Sequence, residues 1–466
     1  MTYPSEKLIR TILAFCIAGV LSASISNADD KPNIIIIITD DQGYNDVGFN
    51  GSEEIPTPNV DRIADEGVRF TQAYVTHPFC GPSRAGLLSG RYQYRFGFEG
   101  NPSLNPRDEK AGFPTSEEMI SEMLKRAGYT NMIAGKWHMG THPRFHPFKR
   151  GFDEFFGFLA GGHQYFPHEL TVKDMMAVKN KGEWYRTKLR HNGEIYEMQR
   201  DYLTDEISDF AVDFIERRGK QDEPFFLYLA YNAPHGPLQA TQTYLDRFPN
   251  IEDNKRRTYA AMISAVDDGV GRVLDTLDQM EIAGNTVVFF LSDNGGVMKK
   301  GKENWSDNSP LRAGKGSFFE GGNRVPFAMR WPARVKAKQD YNEPISSLDI
   351  ASTLAAHLNI QPQKTLDGID LLPYLNGVAR RAPDRELYWR NLKSGNIAVV
   401  SGDYKYMKSA KNSSLFDLSS DIGESKNLVK KNAEVVGSME SKQEDWLEGM
   451  ATEPAFNFAD TWPRKN

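Results

Sequence analysis

Residues 34–38 are five consecutive isoleucines, and no other stretch constrains the fold of this chain so strongly. A β-strand turns successive side chains to opposite faces, so an unbroken β-branched run must be buried on both sides. Such a strand belongs inside a parallel sheet whose two faces are covered by helices. Further apolar runs lie at 68–75, 130–134, 225–230, 286–291 and 325–331. Between them Leu203, Ile207, Phe210, Phe214 and Ile215 recur at helical spacing. So do Tyr259, Met262, Ile263, Val266, Val270, Val273, Leu274 and Leu277. The alternation predicts an α/β fold with a large mixed, mainly parallel sheet sandwiched by helices. Beyond residue 382 the texture changes to short strands at 386–390, 397–400 and 404–408 with a closing helix, which predicts a smaller C-terminal antiparallel α+β subdomain. The expected division is a leader over 1–28, a main domain over 29–382 and a subdomain over 383–466.

The leader reads as a secretory signal peptide. Lys7 and Arg10 precede an apolar stretch over 11–23, and Ser26-Asn27-Ala28 offers a small-residue cleavage site before Asp29. Phe15, directly before Cys16, is too bulky for a lipoprotein signal. No later run approaches the about 20 apolar residues that a membrane helix needs. The mature chain is therefore expected to be exported, periplasmic or secreted, without an integral membrane segment. With 56 basic against 62 acidic residues and no basic stripe, the charge pattern argues against a nucleic-acid partner. An apolar fraction of 39% with 11% aromatics excludes a disordered chain.

Cysteine usage narrows the chemistry. Only Cys16 and Cys80 exist, and Cys16 leaves with the leader. The remaining thiol cannot form an intramolecular disulfide in an oxidising compartment. A lone cysteine commonly packs as a small hydrophobe, but the neighbours of Cys80 argue for more. Pro82 suits the first turn of a helix, which sets Cys80 at a helix N-terminus where the dipole favours negative charge. Arg84, four residues on, shares its face. Meanwhile Asp40 and Asp41 follow the isoleucine strand, Lys136 and His138 follow 130–134, His235 follows 225–230, and Asp293 and Asn294 follow 286–291. In open parallel sheets ligands bind beyond the carboxyl ends of the strands, so these residues are expected to converge on one site for an anionic substrate. Asp40, Asp41, Asp293 and Asn294 offer only oxygen ligands, which suit Ca²⁺ or Mg²⁺ rather than Zn²⁺.

The run Cys80-Gly-Pro82-Ser83-Arg84-Ala-Gly-Leu87-Leu-Ser89-Gly90-Arg91 resembles the signature of the formylglycine-dependent, arylsulfatase-like sulfatases of the alkaline-phosphatase-like superfamily. Ser89 stands where threonine is commoner. The resemblance continues in Thr39-Asp40-Asp41-Gln-Gly43, Gly135-Lys136-Trp-His138, Ala233-Pro234-His235, Ser292-Asp293-Asn294-Gly295-Gly296, Gly314-Lys315-Gly316 with Glu320-Gly-Gly322, and Leu415-Phe-Asp417. It implies that a formylglycine-generating maturase oxidises Cys80 to formylglycine (3-oxoalanine), and that the hydrated aldehyde attacks sulfur and later collapses to expel sulfate. It also implies Ca²⁺ ahead of Mg²⁺, held by Asp40, Asp41, Asp293, Asn294 and the modified Cys80. By analogy with matching family positions Arg84, Lys136 and Lys315 surround the sulfate, His138 serves the hydrate, and His235 protonates the leaving oxygen. His163 is a further substrate-binding candidate that could instead stabilise its own glycine loop.

The group carrying the sulfate is read from weaker signals. Residues 165–191 interleave aromatics with cations, including Tyr165, Phe166, Trp184, Tyr185, Arg186, Lys188 and Arg190, although His191-Asn192-Gly193 reads as a hairpin turn. The loop 299–312 with Trp305 is a second candidate. Together with export, these favour a sulfated carbohydrate. The alternatives are an arylsulfatase, a phosphonate or phosphate monoester hydrolase of the same superfamily, and a non-catalytic binder of sulfated glycan.

Overall fold

The computed structural model describes residues 31–180, 182–298 and 305–457. The leader with Lys7, Arg10 and Cys16, the first half of the 299–312 loop and residues 458–466 lie outside the described residues. In chain order the strands are β1 (Asn33–Thr39), β2 (Val68–Phe70), β3 (Ala73–Tyr74), β4 (Thr130–Lys136), β5 (Glu154–Phe158), β6 (Leu189–His191), β7 (Glu194–Tyr196), β8 (Phe225–Ala230) and β9 (Thr286–Ser292). They continue with β10 (Phe327–Arg330), β11 (Gln339–Tyr341), β12 (Ile345–Ser346), β13 (Glu386–Asn391), β14 (Asn396–Ser401), β15 (Tyr404–Lys408) and β16 (Ser413–Asp417).

The isoleucine strand stands at the centre. The large sheet runs β11-β2-β10-β9-β1-β8-β4-β5-β6-β7, with β1 parallel to both neighbours and Ile36 level with Tyr228 and Phe289. Strands β9, β1, β8, β4 and β5 are mutually parallel, and antiparallel strands close both sides. Ile35 and Ile37 enter one core cluster and Ile34, Ile36 and Ile38 the other, so the strand is buried on both faces as expected. Each buried isoleucine contributes roughly 2–3 kcal/mol by removal of apolar surface from water. One face is covered by the helices Leu203–Arg218 and Asn254–Gln279, whose apolar stripes are the two expected from spacing.

Two expectations need correction. The run 68–75 is two strands, β2 in the large sheet and β3 pairing with β12. The chain breaks at Thr71, whose carbonyl accepts from Tyr44 Oη at 3.2 Å and from the Arg324 guanidinium, Nε at 2.9 Å. The run 325–331 is a strand only over Phe327–Arg330, because Pro326 has no N–H to give to the ladder. Strand β5 escaped the reading because Gly157 interrupts a run of only five residues.

Past residue 382 the expected short strands form a separate four-stranded antiparallel sheet, β13-β14-β15-β16, with the helix Ala433–Glu448 against it. Trp446 stacks on Tyr388 at 4.7 Å. This sheet is joined to the β3 segment of the main domain by polar groups: Trp389 Nε1 donates to the Val75 carbonyl at 2.8 Å. Lys405 is wholly buried between Glu320 (2.8 Å) and Glu424 (3.1 Å), and Glu320 also accepts from Tyr74 Oη at 2.7 Å. Removing one partner of such a network strands the others without compensation. Lys405→Met is expected to cost about 3–5 kcal/mol in urea unfolding, and adding Glu320→Gln with Glu424→Gln should recover much of it. A loss below 1 kcal/mol would show that the network does not hold the two sheets together.

Candidate active site

The site lies at the carboxyl ends of β1, β4, β8 and β9 and at the N-terminus of the helix Cys80–Ser89. Phe79 caps that helix in extended conformation, and Asn101 Oδ1 accepts from the Gly81 N–H at 3.0 Å. The helix ends at Gly90, φ 63. Cys80 is buried at its mouth. Its Sγ lies 3.3 Å from Asp40 Oδ1, 3.9 Å from Asp41 Oδ1 and 3.2 Å from Lys315 Nζ. Burial, and next the negative Asp40, push the thiol well above its ordinary range, which disfavours the thiolate.

Three carboxylates converge here. The ligand atoms of Asp40, Asp41, Cys80 and Asp293 lie within 4.8 Å of one another, all buried. Lys136 Nζ is paired with Asp40, and Lys315 Nζ sits 2.5 Å from Asp41 Oδ1. Arg84 is completely buried with Nε donating to Asp293 Oδ2 at 2.8 Å, while its Nη1 and Nη2 have no well-formed hydrogen bond with any described residue. Burial costs the Asp40 carboxyl, but Lys136 and its other cationic neighbours outweigh that and hold it below the usual range. Asp293 goes the other way, pushed up by burial and then by the charge of Asp40. Like charges this close require a cation among them.

The residues fit such a cation. Asn294 Nδ2 donates to Asp41 Oδ1 at 2.8 Å, leaving a buried Oδ1 with no partner. That orphaned oxygen beside three carboxylates is a hard-ligand set for a divalent ion of the calcium or magnesium kind. Asp41 and His138 both hold left-handed backbone, φ 64 and φ 60, a conformation uncommon outside glycine that concentrates at functional sites. Just before Lys136, Gly135 has φ 111, and a Cβ there would lie 2.0 Å from the Ala230 carbonyl oxygen.

Both expected histidines face the cluster's cavity. His138 is buried against Gly161 with Nδ1 unpartnered, and burial, then Lys136, hold it neutral. His235 Nδ1 meets the Gly236 carbonyl at 2.6 Å, and Nε2 lies 3.7 Å from Asp41 Oδ2. Burial lowers its pKa while Asp40 and Asp41 oppose the shift. Cys80, His138, His235 and Lys315 share a cavity of 190 Å³ with Asn101, Leu104, Trp184 and Tyr185. A more open concavity continues past Tyr185 and His235 to Trp305.

The structure does not bring His163 into this cavity. Its ring stacks on Phe158 at 4.5 Å, and its two nitrogens face the carbonyls of Gln164 (2.9 Å) and Thr187 (2.8 Å). It therefore takes the structural alternative, bracing the loop that carries Gly161 and Gly162. Of residues 165–191, Trp184 and Tyr185 reach the cavity, stacked at 3.9 Å, whereas Leu189–His191 and Glu194–Tyr196 form the edge hairpin that Asn192-Gly193 predicted. Sequence reasoning missed Asn101, a loop residue without any motif. It also missed Asp46, Tyr259 and Arg256: Tyr259 Oη accepts from the Gly43 N–H at 3.0 Å and donates to Asp46 at 2.8 Å, setting the turn after Asp41.

Comparison with known proteins agrees with this geometry. The sulfatase family model matches residues 32–360, and the model of the N-sulphoglucosamine sulphohydrolase C-terminal region matches 314–448. The chain belongs to the sulfatase family of sulfuric ester hydrolases. It is 35% identical to mouse (Mus musculus) N-acetylgalactosamine-6-sulfatase over 412 residues, 85% of this chain and 75% of that protein. The crystal structure of Ps i-CgsB in complex with k-i-k-neocarrahexaose superposes with a TM-score of 0.84 at 40% identity, covering 91% of this chain and 94% of that one. The phosphonate monoester hydrolase of Agrobacterium radiobacter shares the fold, with a TM-score of 0.63 at 22% identity over 90% of this chain and 95% of that one.

The buried His163 also makes the structure sensitive to acid. Burial pushes its imidazole down to about 4. The unfolded chain takes up a proton near pH 6.5 that the folded chain refuses until about 4, so stability falls as pH drops through that window, by roughly 3 kcal/mol for this group. His163→Gln, which keeps a side-chain donor and removes the titrating imidazole, is expected to flatten the fall in urea-unfolding free energy between pH 7 and 4.5 by about one proton's slope. An unchanged slope would contradict the assignment.

Proposed function

We propose that this chain hydrolyses a sulfate ester on a sulfated carbohydrate, using residue 80 as formylglycine and a Ca²⁺ ion. The observation that carries the reading is the buried Cys80 at a helix N-terminus, ringed by Asp40, Asp41 and Asp293 and by the cations Arg84, Lys136 and Lys315. A lone exported thiol in an intact Cys-x-Pro-x-Arg context is what a maturase would oxidise, and a hydrated aldehyde at that position supplies the oxygen nucleophile that the buried thiol cannot. Asp40, Asp41, Asp293 and Asn294 would hold the ion, with modified residue 80 as a further ligand; when bound it supplies positive charge that favours an anionic nucleophile and draws in the sulfate.

The remaining steps belong to side chains. The Nη groups of Arg84 and the ammonium groups of Lys136 and Lys315 compensate the charge that grows on the sulfuryl oxygens and leaving oxygen. His138, neutral in its pocket, accepts a proton from residue 80 when sulfate is expelled. His235 donates to the ester oxygen, with Asp40 and Asp41 drawing the proton onto it against the effect of burial. A sugar alkoxide is a poor leaving group, so this proton matters most for carbohydrate esters. The stacked Trp184–Tyr185 pair suits a sugar ring, and the relatives named for N-acetylgalactosamine and for a carrahexaose complex support a glycan substrate. Residues 1–28 direct export, and 29–382 and 383–466 divide the mature chain into catalytic and C-terminal parts.

Sulfate release from a panel of sulfated saccharides tests this, and Cys80→Ala is expected to abolish it; retained turnover would overturn the nucleophile. His235→Ala should lower kcat/KM at least 100-fold for a saccharide sulfate and less than 10-fold for 4-nitrophenyl sulfate. Equal losses would remove His235 from the role of acid.

The metal assignment has its own readout. Ca²⁺ at about 100 times its Kd is expected to stabilise the folded chain by roughly 2.7 kcal/mol, seen as a rise in Tm that EDTA reverses. Asp293→Ala should remove the response, and a Tm indifferent to Ca²⁺ in the wild-type chain would contradict the site.

A further inference from the structure

A cavity of 320 Å³ lies between the loops that carry the chemistry and the C-terminal sheet, and it shares no lining residue with the catalytic cavity. One wall is His77, Pro78 and Phe79, immediately before Cys80, together with the segment that follows Lys315. The other wall is the β13–β16 sheet, which contributes Asn396, Lys408 and Asn412. Phe79 and Gly316 in its lining are the chain neighbours of Cys80 and Lys315 in the catalytic cavity.

The lining is suited to a sugar. The Phe79 ring is 38% exposed, unusual for a phenylalanine, and lies against Gly316, where a Cβ would sit 2.9 Å from the ring. The same cavity is lined by the exposed Asn396 and Asn412, whose side-chain amides make no hydrogen bond with any described residue. An exposed aromatic ring, two uncommitted amides and a lysine in one cavity offer stacking for the C–H face of a pyranose and partners for its hydroxyl and sulfate groups. Lys408 itself is held by Glu440 at 2.8 Å on the exposed side.

We propose that this cavity is a second saccharide site, which holds a ring of the same sulfated glycan remote from the ester at residue 80 and so makes the enzyme favour long chains over single sugars. The proposal rests on the carbohydrate-sulfatase reading. It is tested in the Cys80→Ala chain, which binds without turnover, by measuring Kd for a sulfated carra-hexasaccharide and for the corresponding disaccharide. Adding Asn396→Ala and Asn412→Ala is expected to weaken hexasaccharide binding at least 10-fold and to change disaccharide binding less than two-fold. In the matured enzyme the same pair should lower kcat/KM for the hexasaccharide and spare 4-nitrophenyl sulfate. Both amides are exposed, so an unchanged Tm is expected and excludes misfolding as the cause. Hexasaccharide affinity unaffected by the two substitutions would overturn the second site alone. A Cys80→Ala chain that binds neither saccharide would overturn the glycan reading as well.

Discussion

Three buried carboxylates held within reach of one another by the buried Arg84 and Lys136 and the partly exposed Lys315 are the constraint on which the rest of this structure depends. Asp40, Asp41 and Asp293 could not share one pocket as anions without Lys136, Lys315 and Arg84, and those cations would be equally costly to bury alone. The central sheet supplies the rigidity that such a cluster needs. Strands β1 and β9 run parallel in strict register, from Asn33 opposite Thr286 to Thr39 opposite Ser292, so Asp40 and Asp293 leave the sheet side by side. The same sheet delivers Lys136 from β4 and His235 beyond β8.

The same arrangement bears on Cys80: burial, and next the charge of Asp40, disfavour its thiol as an anion. For an oxygen nucleophile at position 80, as proposed, Lys136, Lys315, Arg84 and a bound divalent ion would favour the negative form. The Nη groups of Arg84 make no well-formed hydrogen bond with any described residue, a costly arrangement for a structural arginine and one that suits the proposed contact with sulfate.

Much of this was legible in the sequence because the two periodicities are strong. Five isoleucines specify a two-sided buried strand, and the polar residues immediately after each strand specify the site, since strand ends on one side of a parallel sheet must converge. Asp40, Asp41, Lys136, His138, His235, Asp293 and Asn294 carry that signal, whereas Cys80 and Arg84 are read from a helix start and Lys315 from the family motif; the structure brings all of them together. What was not legible depends on chain reversal and long-range packing. Thr71 breaks a strand because side chains 27 and 253 residues away claim its carbonyl, and Asn101 reaches the Cys80 helix from a loop without a pattern. His163 sits next to two glycines of the site loop, yet its ring turns inward to backbone carbonyls, a matter of rotamer that no spacing rule reports. The coupling of the C-terminal sheet through Lys405, Glu320 and Glu424 likewise joins residues up to about a hundred positions apart, including one, Glu320, visible only as part of a motif.

The account turns on the chemical state of position 80. The most direct measurement is the mass of the tryptic peptide spanning residues 70–84, taken from protein produced alongside a competent maturase. The expected mass is that of the peptide with its thiol replaced by an aldehyde oxygen, in a preparation that releases sulfate in proportion to the modified fraction. A peptide that keeps the intact thiol in a preparation that still releases sulfate would contradict the account, because the attack is assigned to the aldehyde hydrate and not to the thiol.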